Sequence, residues 1–165
     1  MKNKMIMFEN ILMLSIKPKY AAMILSGEKK VELRRVRTRL KHGDLVLVYV
    51  SSPIKALVAT FQVDNIVQSE IKAIPKDLND FWTRIENIAG ISCHEYKTYY
   101  NNASTIVAIF IKNLKELNDP IELETLRATI PRFQPPQSYR YLKHSEIQLF
   151  ESLIQDISVI SPTKK

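Results

Sequence analysis

The stretch that most constrains the fold is Gly27-Glu28-Lys29-Lys30-Val31-Glu32-Leu33-Arg34-Arg35, continued to Lys41. If residues 29–36 are extended, Val31 and Leu33 point to one side while Lys30, Glu32 and Arg34 share the other. One face can enter a core; the other cannot. A carboxylate set between cations on that polar face is an oriented acceptor in a field of donors. It suits a ligand that offers both anionic oxygens and amino groups, as a nucleotide does. The competing reading is a solvated edge strand, because alternating charge also protects a sheet edge from aggregation.

The elements around this strand set its context. Ile11-Leu12-Met13-Leu14-Ser15-Ile16 has the apolar character of a buried strand. Pro18 can open a helix without losing a needed N–H. Tyr20, Ala21, Met23, Ile24 and Leu25 form that helix's buried stripe, and Gly27 closes it in the left-handed position. After His42-Gly43-Asp44, Leu45 to Val50 and Ile54 to Val63 read as two strands joined in an antiparallel hairpin, with residues 66–74 partly extended up to Pro75. The period then changes. Leu78, Phe81, Trp82, Ile85 and Ile88 recur at helical spacing, Gly90 stops the helix, and Ser92 with Glu95 forms a capping box for the next one. Thr105 to Ile111 is a strand, Asn118-Asp119-Pro120 is expected to turn the chain, and Leu123 to Ala128 suits a helical turn. Residues 131–141 are proline-rich and cannot form an interior strand. Ser145 is expected to cap a last amphipathic helix over about residues 145–157, and the tail at 162–165 is expected to fray. Strands and helices do not alternate regularly, which argues against a doubly wound sheet and for an α+β barrel. The length of 165 residues suits a single domain, with its core over about residues 11–142.

The net charge of +7 is concentrated. Between Glu28 and Lys41 there are seven basic residues against two acidic ones, a local excess of five. A clustered basic face is the electrostatic footprint of a nucleic-acid binder. Cys93 is the only cysteine, which rules out an internal disulfide or a thiolate zinc cluster and suits a reducing, cytoplasmic setting. His42, His94 and His144 lack ligand spacing, so neither a metal nor a cofactor is expected. No apolar run approaches a membrane span, and the N-terminus lacks the form of a signal peptide.

Ser15-Ile16-Lys17-Pro18-Lys19-Tyr20-Ala21, followed by Gly27, Lys29, Glu32 and Arg34 at their spacing, resembles the signature of the ASCH domain, a branch of the PUA-like superfamily. Gly43-Asp44, the Gly90 to Tyr99 block and Pro135-Pro136-Gln137-Ser138-Tyr139 are similar to stand-alone bacterial and phage members described as predicted regulators. The resemblance implies a PUA-like, partly closed β-barrel of about five or six strands flanked by helices, with a cleft that binds RNA or a modified nucleotide. One enzymatic branch hydrolyses N4-acetylcytidine with a lysine, a threonine and a later glutamate. Lys29 matches the lysine and Glu95 stands where a late glutamate would, but the threonine position holds Glu32, which lacks the hydroxyl nucleophile.

The expected nucleic-acid ligands are therefore Lys17, Lys19, Lys29, Lys30, Glu32, Arg34, Arg35 and Arg37. Tyr139 is expected either to stack on a base or to tie the proline segment to the barrel. Lys29, Glu32 and Glu95 carry the chemistry if the chain is an enzyme. The leading expectation is a non-enzymatic, regulatory binding module for RNA or a modified nucleotide, with DNA as a further partner. The alternative is a small hydrolase of the amidohydrolase or weak ribonuclease kind.

Overall fold

From the N-terminus, the computed structural model runs β1 (Ile11–Ile16), α1 (Pro18–Ser26), β2 (Val31–Arg34), β3 (Leu45–Val50) and β4 (Ala56–Glu70). It continues through α2 (Lys76–Ile85), α3 (Cys93–Tyr99), β5 (Thr105–Glu122), α4 (Leu123–Thr129), β6 (Tyr139–Tyr141) and α5 (His144–Ser158). The structure describes residues 4–158. All six strands form one curled sheet in the order β2-β5-β4-β3-β1-β6. The β1–β3 pair is parallel and the other pairs are antiparallel. This is the α+β, PUA-like half-barrel expected from the order of elements.

The unbroken apolar runs of β1 and β3 follow from cover on both faces. Leu12, Leu14, Ile16, Val46, Val48 and Val50 point into the curl, where Ala21 and Ile24 of α1 close over them. Ile11, Met13, Leu45, Leu47 and Tyr49 point outward to Leu126, Phe133 and Phe150 under α4 and α5. A third cluster packs Val31 and Leu33 of β2 with Ile106 and Ala108 of β5 against Phe81, Ile85, Tyr96 and Tyr100. With period-two alternation, Glu32 and Arg34 must then face the inside of the curl. Their cross-strand partners Ile109 and Val107 belong to that interior cluster.

Three local expectations are corrected. The charged strand covers Val31–Arg34 rather than residues 29–36, because Lys29 and Lys30 spend their N–H groups on Met23 O and Ile88 O at the end of α1 and the turn after α2. Asn118-Asp119-Pro120 does not turn the chain. β5 runs on to Glu122, and between the Ala59–Glu116 and Leu57–Ile121 pairs residues 117–120 form a bulge, where the missing N–H of Pro120 is tolerated. Ser145 is not the cap of α5, which begins at His144; the Glu146 carboxylate instead accepts the Lys143 N–H at 2.8 Å and pairs with Arg140 at 2.7 Å. The tail at 162–165 lies outside the described residues. The proline segment ends as β6 on the sheet edge, where it pairs with β1 alone.

Candidate functional site

β2 and β6 are the two free margins of the sheet, and the curl brings them together. Arg34 bridges them: its Nη2 donates to Ser15 O at the end of β1 (2.8 Å), and its Nη1 lies 3.4 and 3.5 Å from Ser138 Oγ and O. Side-chain bonds, in place of a backbone ladder, therefore span the gap. The exposed carbonyls of β2 are taken up by α3, since Tyr99 Oη donates to Leu33 O (3.2 Å) and Tyr100 Oη donates to Arg34 O (3.0 Å). Burial raises the pKa of both phenols, so they remain donors.

Lys29 enters the same seam by a backbone device. Gly27, at φ 84°, ends α1 in the left-handed conformation and reverses the chain. Lys29 then passes beneath Gly90, so closely that a Cβ on that glycine would stand 2.8 Å from Lys29 Cβ. Its Nζ donates to Ala89 O (2.7 Å) and lies 3.9 Å from Glu32 Oε2. Burial pushes the Lys29 ammonium below the usual lysine range; the Glu32 charge opposes this and Arg34 adds to it. Glu32 Oε1 is 3.1 Å from Arg34 Nε, while Oε2 is sealed from solvent and has no hydrogen-bond partner. Lys29 and Glu32 are 4% and 6% exposed, so this is a desolvated ion cluster in apolar company.

The rim is built by the capping box predicted for α3. Ser92 Oγ accepts the Glu95 N–H, and Glu95 Oε1 accepts the Ser92 N–H. The other carboxylate oxygen accepts from Lys19 Nζ and Tyr20 Oη of α1, both at 3.2 Å. Glu95 thus staples α3 to α1. The Lys19 bond and the Ser92 amide hold its carboxyl below the ordinary value, while burial and the Glu95 bond raise the Tyr20 phenol.

These groups enclose a cavity of about 280 Å³. Of the residues singled out in the sequence, Lys17, Lys29, Glu32, Arg34 and Glu95 line it. Lys19 stands at its rim with its side chain 63% exposed. Lys30, Arg35 and Arg37 are exposed and outside it. The sequence grouped Lys30 with Glu32 and Arg34 on one face; the cation that joins them is Lys29, because the strand alternation starts only at Val31. Arg35 lies over the Tyr99 ring at 5.9 Å. Tyr139 Oη donates to Arg37 O (2.8 Å), which ties β6 to the segment after β2. Ser15, Ser51, Ile91 and Gln137 also line the cavity and were not found from the sequence. They come from four separate segments and carry no local pattern. Tyr20, read there as part of a buried stripe, is half-buried with its hydroxyl at the rim. Among the described residues, no group of His, Cys, Asp and Glu could hold a metal ion, and no helix is long and apolar enough to cross a membrane.

Comparison with known proteins agrees with this geometry. A protein from Zymomonas mobilis named an ASCH domain-containing ribonuclease is 28% identical over 144 residues, covering 87% of this chain and 92% of its own. The crystal structure of ASCH from Zymomonas mobilis superposes with a TM-score of 0.75 at 28% identity, over 87% of this chain and 94% of that one. A protein of Ureaplasma parvum named large ribosomal subunit protein uL22 is 28% identical over 132 residues, which is 80% of this chain but 39% of that longer protein. The ASCH domain profile matches residues 14–121, from the end of β1 to the end of β5, and so spans the elements that build the cavity. The chain belongs to the ASCH domain family.

Proposed function

We propose that this chain binds single-stranded RNA and seats one nucleotide in the cavity at the sheet seam. The observation that carries the reading is the convergence of Lys29, Glu32 and Arg34 on one concave site, with Glu32 Oε2 left without a hydrogen bond. Three cations and two carboxylates line the cavity, a balance that favours an anionic ligand while keeping acceptors for base N–H groups. A recess of about 280 Å³ between two helices suits one splayed nucleotide and not a duplex. The names of the two relatives, a ribonuclease and a ribosomal protein, fit an RNA ligand. A stand-alone module of this kind would act as a regulator by occupying its RNA.

Phosphodiester cleavage is the second reading, favoured by the depressed pKa of Lys29. The neutral amine would take the proton of a ribose 2′-hydroxyl. The 2′-oxygen would then bond to phosphorus as the P–O5′ bond breaks and the departing oxygen takes a proton from solvent, leaving a cyclic phosphate and a 5′-hydroxyl. Hydrolysis of acetylcytidine is not proposed, since a carboxylate stands where that reaction would need a hydroxyl.

Fluorescence anisotropy with labelled single-stranded RNA tests both readings. The wild-type protein should bind with log K falling linearly against log salt, and Lys29→Met and Glu32→Gln should each weaken binding by about tenfold, the effect of one charge-assisted contact. Absence of RNA binding, or two folded variants that bind like the wild type, would refute the proposal. Gel analysis of the same mixtures decides on cleavage, which must vanish in Lys29→Met if the second reading holds.

A further inference from the structure

Outside the cavity, Arg35, Arg37, Arg39 and Arg84 have no ion-pair partner among the described residues. Three of them alternate along residues 35–39, a strap held from both sides. Tyr139 Oη donates to Arg37 O, the Arg39 N–H donates to Tyr141 Oη, and Gln68 bonds both the N–H and the carbonyl of Thr38 (2.8 and 3.1 Å). The strap is therefore ordered before any ligand arrives, which lowers the entropic cost of using its side chains.

This strap leads from one hollow to another. It leaves Arg34 on the cavity wall and reaches Arg37, which lines a larger, open groove of about 570 Å³ together with Val67, Gln68, Phe81, Arg84 and Ile106. Three extended residues span at most about 11 Å, a distance that a few nucleotides of single strand cover. The acids in the groove are already engaged. Asp80 pairs with Lys76 at 2.8 Å, Glu70 with Lys72 at 4.0 Å, and Asp77 accepts the Lys72 and Ala73 N–H groups. Arg84 lies over the Phe81 ring at 5.2 Å, and a guanidinium held against an aromatic ring is a platform on which a base can stack.

We propose that this groove is a second subsite for single-stranded RNA, continuous with the cavity along the arginine strap, with phosphates on Arg35 and Arg37 and a base on Arg84. The assignment rests on the RNA reading given above. It is tested by the affinity of the full chain for a uridine dinucleotide and a uridine hexanucleotide, using wild-type protein and the Arg37→Ala/Arg84→Ala variant. Both replaced side chains are exposed, and an unchanged melting temperature verifies folding. The wild type should bind the hexanucleotide about tenfold more tightly than the dinucleotide. The double variant should keep its dinucleotide affinity and lose that gain, and the slope of log K against log salt for the hexanucleotide should flatten by about 1.4 for two lost phosphate contacts. A wild type that binds both lengths equally would overturn the second subsite and leave the cavity reading standing. A double variant that keeps the full gain would do the same, as would an acidic peptide that displaces the hexanucleotide at equal concentration. Failure of the wild type to bind either length would overturn both proposals.

Discussion

Gly90 offers a direct test of how Lys29 is held. Alanine there meets two separate penalties. The backbone at φ 65° lies in the left-handed region, which costs a residue with a Cβ about 1 kcal/mol. The new methyl would also stand 2.8 Å from Lys29 Cβ, 3.2 Å from Cγ and 3.3 Å from Cα. Those atoms sit at the root of the side chain and cannot swing aside, so overpacking adds about 2 kcal/mol. Gly27 is the internal control, because it has φ 84° but nothing within 4 Å of an added Cβ. Gly27→Ala should therefore cost about 1 kcal/mol and Gly90→Ala about 3 kcal/mol, or about 2–4 °C and 6–12 °C in melting temperature for a chain of this size. Differential scanning calorimetry or urea titration of the two variants measures the difference. If the two glycines prove equally costly, the close approach of Gly90 to Lys29 plays no part in positioning the ammonium.

The outer core and the seam give two further tests. Burial works to raise the Glu146 carboxyl, but the Arg140 hydrogen bonds and the Lys143 amide outweigh it and hold the pKa below the ordinary 4.5. A depressed carboxyl contributes stability that is fully present above its unfolded value and is lost as pH falls through the folded one. Glu146→Gln should thus cost about 2 kcal/mol at neutral pH, with a gap to the wild type that closes as the solution is acidified below pH 4.5; a gap independent of pH would contradict this. Tyr139→Phe removes the bond to Arg37 O and should cost about 1 kcal/mol while increasing local proteolysis across residues 35–41. Unchanged protection of that segment would show that the phenol is not one of its anchors.

What the sequence disclosed, and what it withheld, follows from the range of each interaction. The stops at Gly27 and Gly90, the Ser92–Glu95 box and the two-faced burial of Leu45 to Val50 depend on neighbours within a few residues, and each was legible. The pairing of Glu32 with Arg34 was legible for the same reason, since period-two alternation puts them on one face. Lys29 was expected at the site by resemblance, but its route was not, because it depends on Ala89 and Gly90 some sixty residues away. Ser15, Ser51 and Gln137 meet at the cavity only through the order of the sheet, in which consecutive strands β1 and β2 lie far apart. The bulge at residues 117–120 misled for a related reason. Asn-Asp-Pro has turn chemistry, and only the long partner strand β4 keeps it in the ladder.

The meeting of the β2 and β6 margins at Arg34 has a consequence for how occupancy and shape are linked. A hoop completed by a few side-chain bonds can be fastened or loosened by whatever touches both of its ends. An occupant held by Lys29 and Glu32 on one side and by Ser15 or Gln137 on the other acts as a clasp, so its binding free energy reappears as resistance to unfurling. In a molecule made this way, filling the hollow and closing the ring are a single equilibrium.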